Sequence, residues 1–194
     1  MPKIVDHDER KNAIAEAMWH VILDKGMEGA TVRNIAEQAG LSLGALRYYF
    51  NTQDDLLVYA MDLVQERAAD RIGQVMQQSL SPRELVVAVI LEIVPINTTT
   101  RIEMEVWFAF IAYVKHRSDT IDVPEDRIFE MTENLLSFLL DNELLKQDCE
   151  LELEIERLYG LIDGLAIHAI LNPERLDAVR VRKTIEYHID SICR

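Results

Sequence analysis

The sequence predicts an all-α protein of about nine helices, with an N-terminal three-helix portion that contains a helix-turn-helix and a larger C-terminal helical portion. Three observations carry that expectation. From about residue 8 to residue 192, apolar residues recur at helical spacing, interrupted only by short polar or proline-bearing segments. Helix-start chemistry precedes the apolar runs, at Thr31, Ser42, Thr52 with Asp55, and Ser81 with Pro82 and Glu84. No stretch has the turn chemistry of a β-hairpin or the spacing of a βαβ unit.

In chain order, a first helix runs from about Asp8 to Lys25, with Ile14, Ala17, Met18, Val21 and Ile22 inward, and Gly26 stops it. Thr31 caps a second helix whose Val32, Ile35, Ala36 and Ala39 share one face. Gly40 supplies a turn, and Ser42 caps a third helix with Leu46, Tyr49 and Phe50 inward and Leu43, Gly44, Ala45 and Tyr48 outward. Two short helices about a glycine turn read as a helix-turn-helix. Small, uncharged residues in the exposed first turn of its second helix let that helix sit deep in a major groove.

Thr52 to Asp55 forms a capping box for a long fourth helix reaching about Gln77. Ser81 to Glu84 opens a fifth, which Pro95 ends or kinks. A sixth helix spans about Thr100 to Lys115, and Pro124 sits in the first turn of a seventh that ends near Asn142. The segment CELELEIERL alternates acid with apolar residues and fits a strand on periodicity alone. Its unbroken continuation into YGLIDGLAIHAIL and the acids in its first turn favour a helix. Asn172-Pro173 closes this eighth helix, and a ninth lies between about Glu174 and Ile192.

Composition fits a soluble globular chain: 194 residues, 49% hydrophobic and 28% charged, enough for one good core or two small ones. Cys149 and Cys193 are the two cysteines, without metal-ligand spacing, which fits a reducing cytoplasm. No apolar run approaches the ~20 residues that a membrane span requires, so a cytoplasmic protein without membrane partners is expected. The net charge of −14 is unpromising for a polyanion ligand, but it is unevenly spread: residues 1–60 carry −3 and the remainder −11. Attraction to phosphate then rests on local placement of Lys3, Arg10, Lys11 and Arg33, on helix N-termini and on tyrosine hydroxyls. Weak non-specific DNA binding follows. No nucleophile elbow, zinc-protease motif or glycine-rich phosphate loop is present, and Asp163 and His168 share a helix without a nucleophile. No catalytic residue, metal or cofactor is expected.

Residues 10–60 resemble the DNA-binding domain of the TetR family of transcriptional regulators. The resemblance rests on LDKG, then T-V-x-x-I-A-x-x-A-G-L-S-x-G-x-L-x-x-Y-F, then DDLL. The later segments SPRELVVAVI, EVWFAF and DGLAIHAILNPERL resemble the betaine-regulator-like branch. The chain departs from the pattern at Arg47, where a tyrosine is usual, and at Gln53, where a phosphate-binding lysine is common.

The resemblance implies a DNA-binding domain over residues 1–52 and a ligand-binding and dimerisation domain over residues 53–194. It places operator reading at Arg33, Leu43, Gly44, Ala45, Tyr48 and Tyr49, with Thr31, Ser42 and Gln53 completing the DNA-binding set. Arg33 can pair with a guanine edge, Leu43 and Ala45 can meet thymine methyls, Gly44 admits close backbone approach, and the tyrosines and Gln53 can bond phosphate. Packing alone is the competing role for Tyr48 and Tyr49. Arg47 is expected to pair with an acid inside the domain.

In the C-terminal portion, Gly160 and Gly164 lie one helical turn apart, where small residues let two backbones approach. With Ile167, Leu171, Ile185, His188 and Ile189 they suggest a four-helix dimer bundle, an intramolecular glycine contact being the alternative. Trp107, Phe108, Phe110 and Tyr113 crowd the sixth helix beside Met104. Such a stripe is ordinarily core, but one helix cannot turn four rings the same way, and the resemblance implies an inducer site between helices five to eight. Asn97, Glu103, Tyr159 and His168 are the polar groups that could orient a mainly apolar ligand there; a hydrogen-bonded structural role suits His168 equally. The expected function is a homodimeric repressor that binds a palindromic operator and is released by a small-molecule inducer. A helical protein-binding adaptor without DNA binding is the alternative.

Overall fold

The computed structural model describes residues 7–115 and 127–194. Among the described residues the chain forms nine helices: α1 (His7–Gly29), α2 (Val32–Gln38), α3 (Leu43–Tyr49), α4 (Gln53–Met76), α5 (Pro82–Leu91), α6 (Thr98–Val114), α7 (Arg127–Asp141), α8 (Leu151–Leu171) and α9 (Ala178–Ile192). Lys3 and the expected start of the seventh helix at Pro124 lie outside the described residues. The described residues form two compact units, one of residues 7–67 and 105–115, the other of residues 68–104 and 127–194. Both divisions fall inside helices, within α4 and within α6. The first part of α4 belongs with the N-terminal unit because Leu56, Leu57, Ala60, Met61 and Val64 complete its core.

The N-terminal unit packs Ile14, Met18 and Ile22 of α1 against Ile35 and Ala36 of α2, Leu46 of α3, Phe50, and Val106, Phe110 and Val114 of α6. Each leucine, isoleucine or phenylalanine so buried stabilises the fold by about 1.5–3 kcal/mol before entropy is counted. Gly26 breaks α1 as expected, with φ 70° and ψ 178° outside the helical region. Thr31 caps α2 by accepting from the Asn34 amide, and Ser42 caps α3 by accepting from the Ala45 amide. Between them Gly40 takes φ 64°, and the Leu41 amide donates to the Ala36 carbonyl at 2.8 Å, a glycine stop that reverses the chain. The buried Trp19 indole donates to the Ala60 carbonyl at 3.1 Å, tying α1 to α4.

The C-terminal unit buries Val86, Val89 and Ile90 of α5, Leu135, Leu136 and Leu139 of α7, and Ile155, Leu158, Ile162 and Leu165 of α8. Against these pack Val181, Ile185, Ile189 and Ile192 of α9. The Ser81–Glu84 capping box is complete, Glu84 accepting from the Ser81 amide at 2.9 Å, and these bonds from Ser81 lower the Glu84 carboxyl below its usual range. Helix α5 ends at Leu91, four residues ahead of Pro95, and the Glu92 carbonyl accepts from Arg71 Nη2 at 2.9 Å. The acid-apolar alternation that begins at residue 149 is helical in α8, as its length and context imply. Helix α9 starts at Ala178, later than its sequence limit, because Asp177 Oδ1 accepts from the Arg180 amide and caps it there. The chain end is pinned by a bridge between Leu145 and Cys193.

Candidate nucleic-acid interface

The helix-turn-helix divides α3 cleanly into two faces. Leu46 and the following Phe50 turn into the core, while Leu43, Gly44, Arg47 and Tyr48 are exposed, with 45% of Leu43 and 76% of Tyr48 accessible. Helical spacing requires this division, since positions 43, 44, 47 and 48 lie three or four apart on one side. Tyr49 and Ala45 are half-buried, and Tyr49 packs on the edge of the core. Arg33 is exposed on α2, and among the described residues no acid pairs with it.

Three of the residues expected to face DNA hold structural bonds. Thr31 and Ser42 use their hydroxyl oxygens as caps, yet both stay exposed. Gln53 Nε2 donates to the Ala30 carbonyl at 3.0 Å, so this amide ties the start of α4 to the turn before α2. Arg47 departs from expectation: it stands exposed and no described carboxylate is within ion-pair distance. Helix α3 itself carries no acid, so no partner is available within its own turns. Lys11 sits over the rings of Phe50 and Tyr59 at 5.4 and 5.0 Å, a cation–π contact that holds its ammonium beside the domain's aromatic edge.

One contact at this surface was not legible in the sequence. The imidazole of His7, the first residue of α1, lies 5.0 Å from the Tyr49 ring and 6.2 Å from the Tyr48 ring. The two tyrosines meet edge to face at 5.2 Å. No periodicity links residues so far apart in the chain.

The residues considered for ligand binding are distributed as follows. In the N-terminal unit Phe110 is fully buried and stacks obliquely on the half-buried Trp107 at 5.9 Å; Phe108 and Tyr113 are half-buried. In the C-terminal unit Met104 is buried, Tyr159 is half-buried against Phe129 at 5.5 Å, and His168 is exposed on α8. Asn97 Oδ1 accepts from the Thr100 amide at 2.9 Å, so its side chain caps α6. Glu103, 5% exposed, accepts two bonds from the Arg71 fork at 2.7 and 3.1 Å, and Arg71 Nε also donates to Glu92 at 3.2 Å. This charged bridge fastens α4 to the start of α6 and the end of α5.

The candidate dimer residues fall into two groups. On α8, Gly160, Ile167 and Leu171 are exposed and Gly164 half-exposed, and an added Cβ at either glycine would meet no atom of the described residues within 4 Å outside its own helical turns. On α9, Ile185, His188 and Ile189 are buried in the unit's own core, because the stripe at 181, 185, 188, 189 and 192 faces α5 and α8; Val179 and Tyr187 are the exposed apolar residues there. His188 Nδ1 lies 3.1 Å from Arg157 Nη2 and so accepts, leaving the proton on Nε2, a buried nitrogen without a partner among the described residues. Burial, with the Arg157 charge second, pushes the His188 imidazole down to about 4.

Similarity to known proteins agrees with this geometry. Residues 14–60 match the model of the bacterial regulatory proteins of the tetR family, and residues 82–194 match that of the BetI-type transcriptional repressor C-terminal domain. The HTH-type transcriptional regulator PksA of Bacillus subtilis (strain 168) is 53% identical over 193 residues, covering 100% of this chain and 94% of that protein. The HTH-type transcriptional regulator BetI 1 of Chromohalobacter salexigens is 28% identical, covering 94% of this chain and 90% of the relative. A solved transcriptional regulator from Saccharomonospora viridis, in complex with choline, shares the fold with a TM-score of 0.79 at 21% identity, covering 96% of this chain and 99% of that one. No described helix is long and apolar enough to cross a membrane. The chain belongs to the TetR family of transcriptional regulators, which are not enzymes, and joins a helix-turn-helix DNA-binding domain to a BetI-type C-terminal ligand-binding domain.

Proposed function

We propose that this regulator acts in the cytoplasm as a homodimeric repressor, reading a palindromic operator with residues 1–52 and sensing a small-molecule inducer with residues 53–194. The observation that carries the reading is the exposed face of α3: Leu43, Gly44 and Tyr48 stand clear of the core with Arg47 beside them. In this reading Arg33 supplies a bidentate pair to a base edge, and Leu43 and Ala45 meet thymine methyls. Tyr48, Tyr49, Thr31, Ser42 and Gln53 position the helix on phosphate. Arg47, carrying a charge that no described acid offsets, joins the phosphate contacts in a chain whose overall charge opposes DNA.

The exposed apolar residues Leu153, Ile167 and Leu171 with Gly160 and Gly164 on α8 support a dimer face, since among the described residues nothing outside the helix's own turns lies within 4 Å of a Cβ added at either glycine. Inducer binding then shifts the population toward a form in which α4, which contributes to both units, no longer holds the two recognition helices at groove spacing.

For the inducer we favour a mainly apolar molecule. A quaternary ammonium compound such as the choline bound by the Saccharomonospora viridis protein is the second reading. Recognition of such a cation draws on an aromatic cage, and an unpaired carboxylate would strengthen it. The buried carboxylate considered for that role, Glu103, is already held by the Arg71 fork. The test is a gel shift on the chain's own upstream DNA, with wild type and Arg33→Ala, repeated with apolar acids, neutral aromatics and choline added. Arg33→Ala should cost about 1–3 kcal/mol on operator and little on random DNA. Equal loss on both would reduce Arg33 to a phosphate contact, and release by choline alone would reverse the ligand assignment.

A further inference from the structure

We propose that His7 is a positioning residue for operator reading, holding the Tyr48 ring in the conformation that meets DNA. The inference rests on the reading that Tyr48 touches the operator, and it adds the residue that fixes how.

Tyr48 is 76% exposed, so packing against the core leaves most of its ring unrestrained. An exposed tyrosine ordinarily samples several rotamers and loses that freedom on binding. Tyr187 of α9 is comparably exposed, at 79%, and among the described residues no ring lies against it. Tyr48 differs. Its ring stands edge to face on Tyr49 with centroids 5.2 Å apart and planes at 90°, and His7 closes the cluster, 6.2 Å from Tyr48 at 69° and 5.0 Å from Tyr49. The two contacts made by Tyr48 have the separations and tilts at which the edge of one ring meets the face of another favourably, while His7 and Tyr49 meet at an oblique 42°.

Two elements of the unit supply the cluster, α3 with both tyrosines and α1 with His7. Tyr49 is half-buried and packs on the hydrophobic core, so it forms the fixed base. His7 opens α1, a helix whose Ile14, Met18 and Ile22 lie in that same core, so the imidazole is carried by a packed element. Tyr48 is therefore bounded on two sides, by a ring from its own helix and by a ring from α1. Most of the residue stays open to solvent, on the helix face shared with Leu43, Gly44 and Arg47. Pre-setting a side chain in its bound conformation raises affinity without adding a contact to the ligand. His7 thus acts through Tyr48.

A double-mutant cycle on a duplex carrying the footprinted upstream site tests this, using the full-length protein as wild type, His7→Ala, His7→Phe, Tyr48→Ala and the pair His7→Ala with Tyr48→Ala. His7→Ala should weaken binding about two- to tenfold per half-site, the range expected for one aromatic contact and one freed side chain. His7→Phe, which keeps a ring, should stay near wild type, and His7→Ala should cost nothing further once Tyr48 is alanine. Thermal melting of the same variants separates the roles, since a merely structural His7 would lower the melting temperature and weaken DNA binding equally with or without Tyr48. A His7→Ala loss that persists in the Tyr48→Ala background, a His7→Phe variant as weak as His7→Ala, or a His7→Ala variant that binds like wild type while Tyr48→Ala does not, would each overturn the inference. Wild-type binding by Tyr48→Ala would instead remove the operator role of Tyr48 itself, and the inference with it.

Discussion

Replacing Gly164 by leucine separates the stability of the subunit from the stability of the dimer, because the two should move in opposite directions. Within one subunit an added Cβ at this position meets no atom of the described residues within 4 Å outside its own helical turns, so the first atom of the new side chain finds open space. Glycine in a helix interior is about 1 kcal/mol less favourable than a good helix former, and leucine should recover most of that. Between subunits the sign reverses. If α8 packs on α8 of a partner through Gly160 and Gly164, a leucine must be accommodated where backbones approach, at about 1–3 kcal/mol for each overpacked site. A two-fold interface contains the substitution twice, so the dimer should weaken by about 2–6 kcal/mol, some thirtyfold to more than ten-thousandfold in dissociation constant. Sedimentation over a concentration series reads the second quantity, and urea denaturation at concentrations where the variant is monomeric reads the first. A variant that remains dimeric with unchanged affinity would refute the α8 interface, and one that is destabilised as a monomer would show that the glycine serves the subunit's own packing.

Three further outcomes follow from the packing. Arg71→Met strands the buried Glu103 carboxylate and should destabilise the protein by about 3–5 kcal/mol, whereas Arg71→Met with Glu103→Leu should return to within about 1 kcal/mol of wild type; denaturation midpoints of the three proteins check this, and equal loss in both variants would contradict it. Phe110→Ala should cost about 3–5 kcal/mol, as for a packed phenylalanine, because the ring is fully buried among Val106, Val114 and the α1 and α4 side chains; a much smaller loss in the same assay would indicate a pre-existing void beside it. His188, with its imidazole pushed down to about 4 from the ordinary 6.5, stays neutral in the fold while the unfolded chain takes up a proton below pH 6.5. Its contribution is therefore whole above pH 6.5 and shrinks by up to about 3 kcal/mol as pH falls towards 4, so wild type should lose more stability than His188→Asn across that window; parallel pH profiles would show that His188 is not the source.

The chain's local chemistry was legible and its long-range chemistry was not. Thr31, Ser42, Thr52 with Asp55, and Ser81 with Glu84 all cap the helices that their residue types announce, because a cap joins a side chain to an amide three residues on and needs no other part of the fold. Gly40 is where the sequence puts the turn for the same reason. Glu103 offered a possible ligand-orienting acid until the structure brought Arg71 to it from another helix, and Asn97 offered a polar anchor until it proved to cap α6. Nothing within a few residues of Glu103 announces Arg71, whereas the Asn97 cap is local, its amide partner Thr100 lying three residues on, and Asn is a residue type that caps helices. On α9 the apolar stripe was visible, but an apolar stripe does not say whether it meets its own chain or another: Ile185 and Ile189 face inward, and Val179 and Tyr187 face out. The expected acid partner of Arg47 and the ring cluster at His7 failed in opposite senses, one a contact presumed and not made, the other made and not foreseeable.

The central claim is that two copies of this chain place two α3 helices on one duplex. Footprinting of the chain's own upstream DNA with purified protein, combined with the stoichiometry of the complex, tests it most directly. The account predicts protection of an inverted repeat by an even number of protomers, with half-site centres about one helical turn apart, roughly 10 base pairs, or a multiple of that. Protection of a single asymmetric site by one protomer, or binding that does not distinguish this DNA from random sequence, would contradict it.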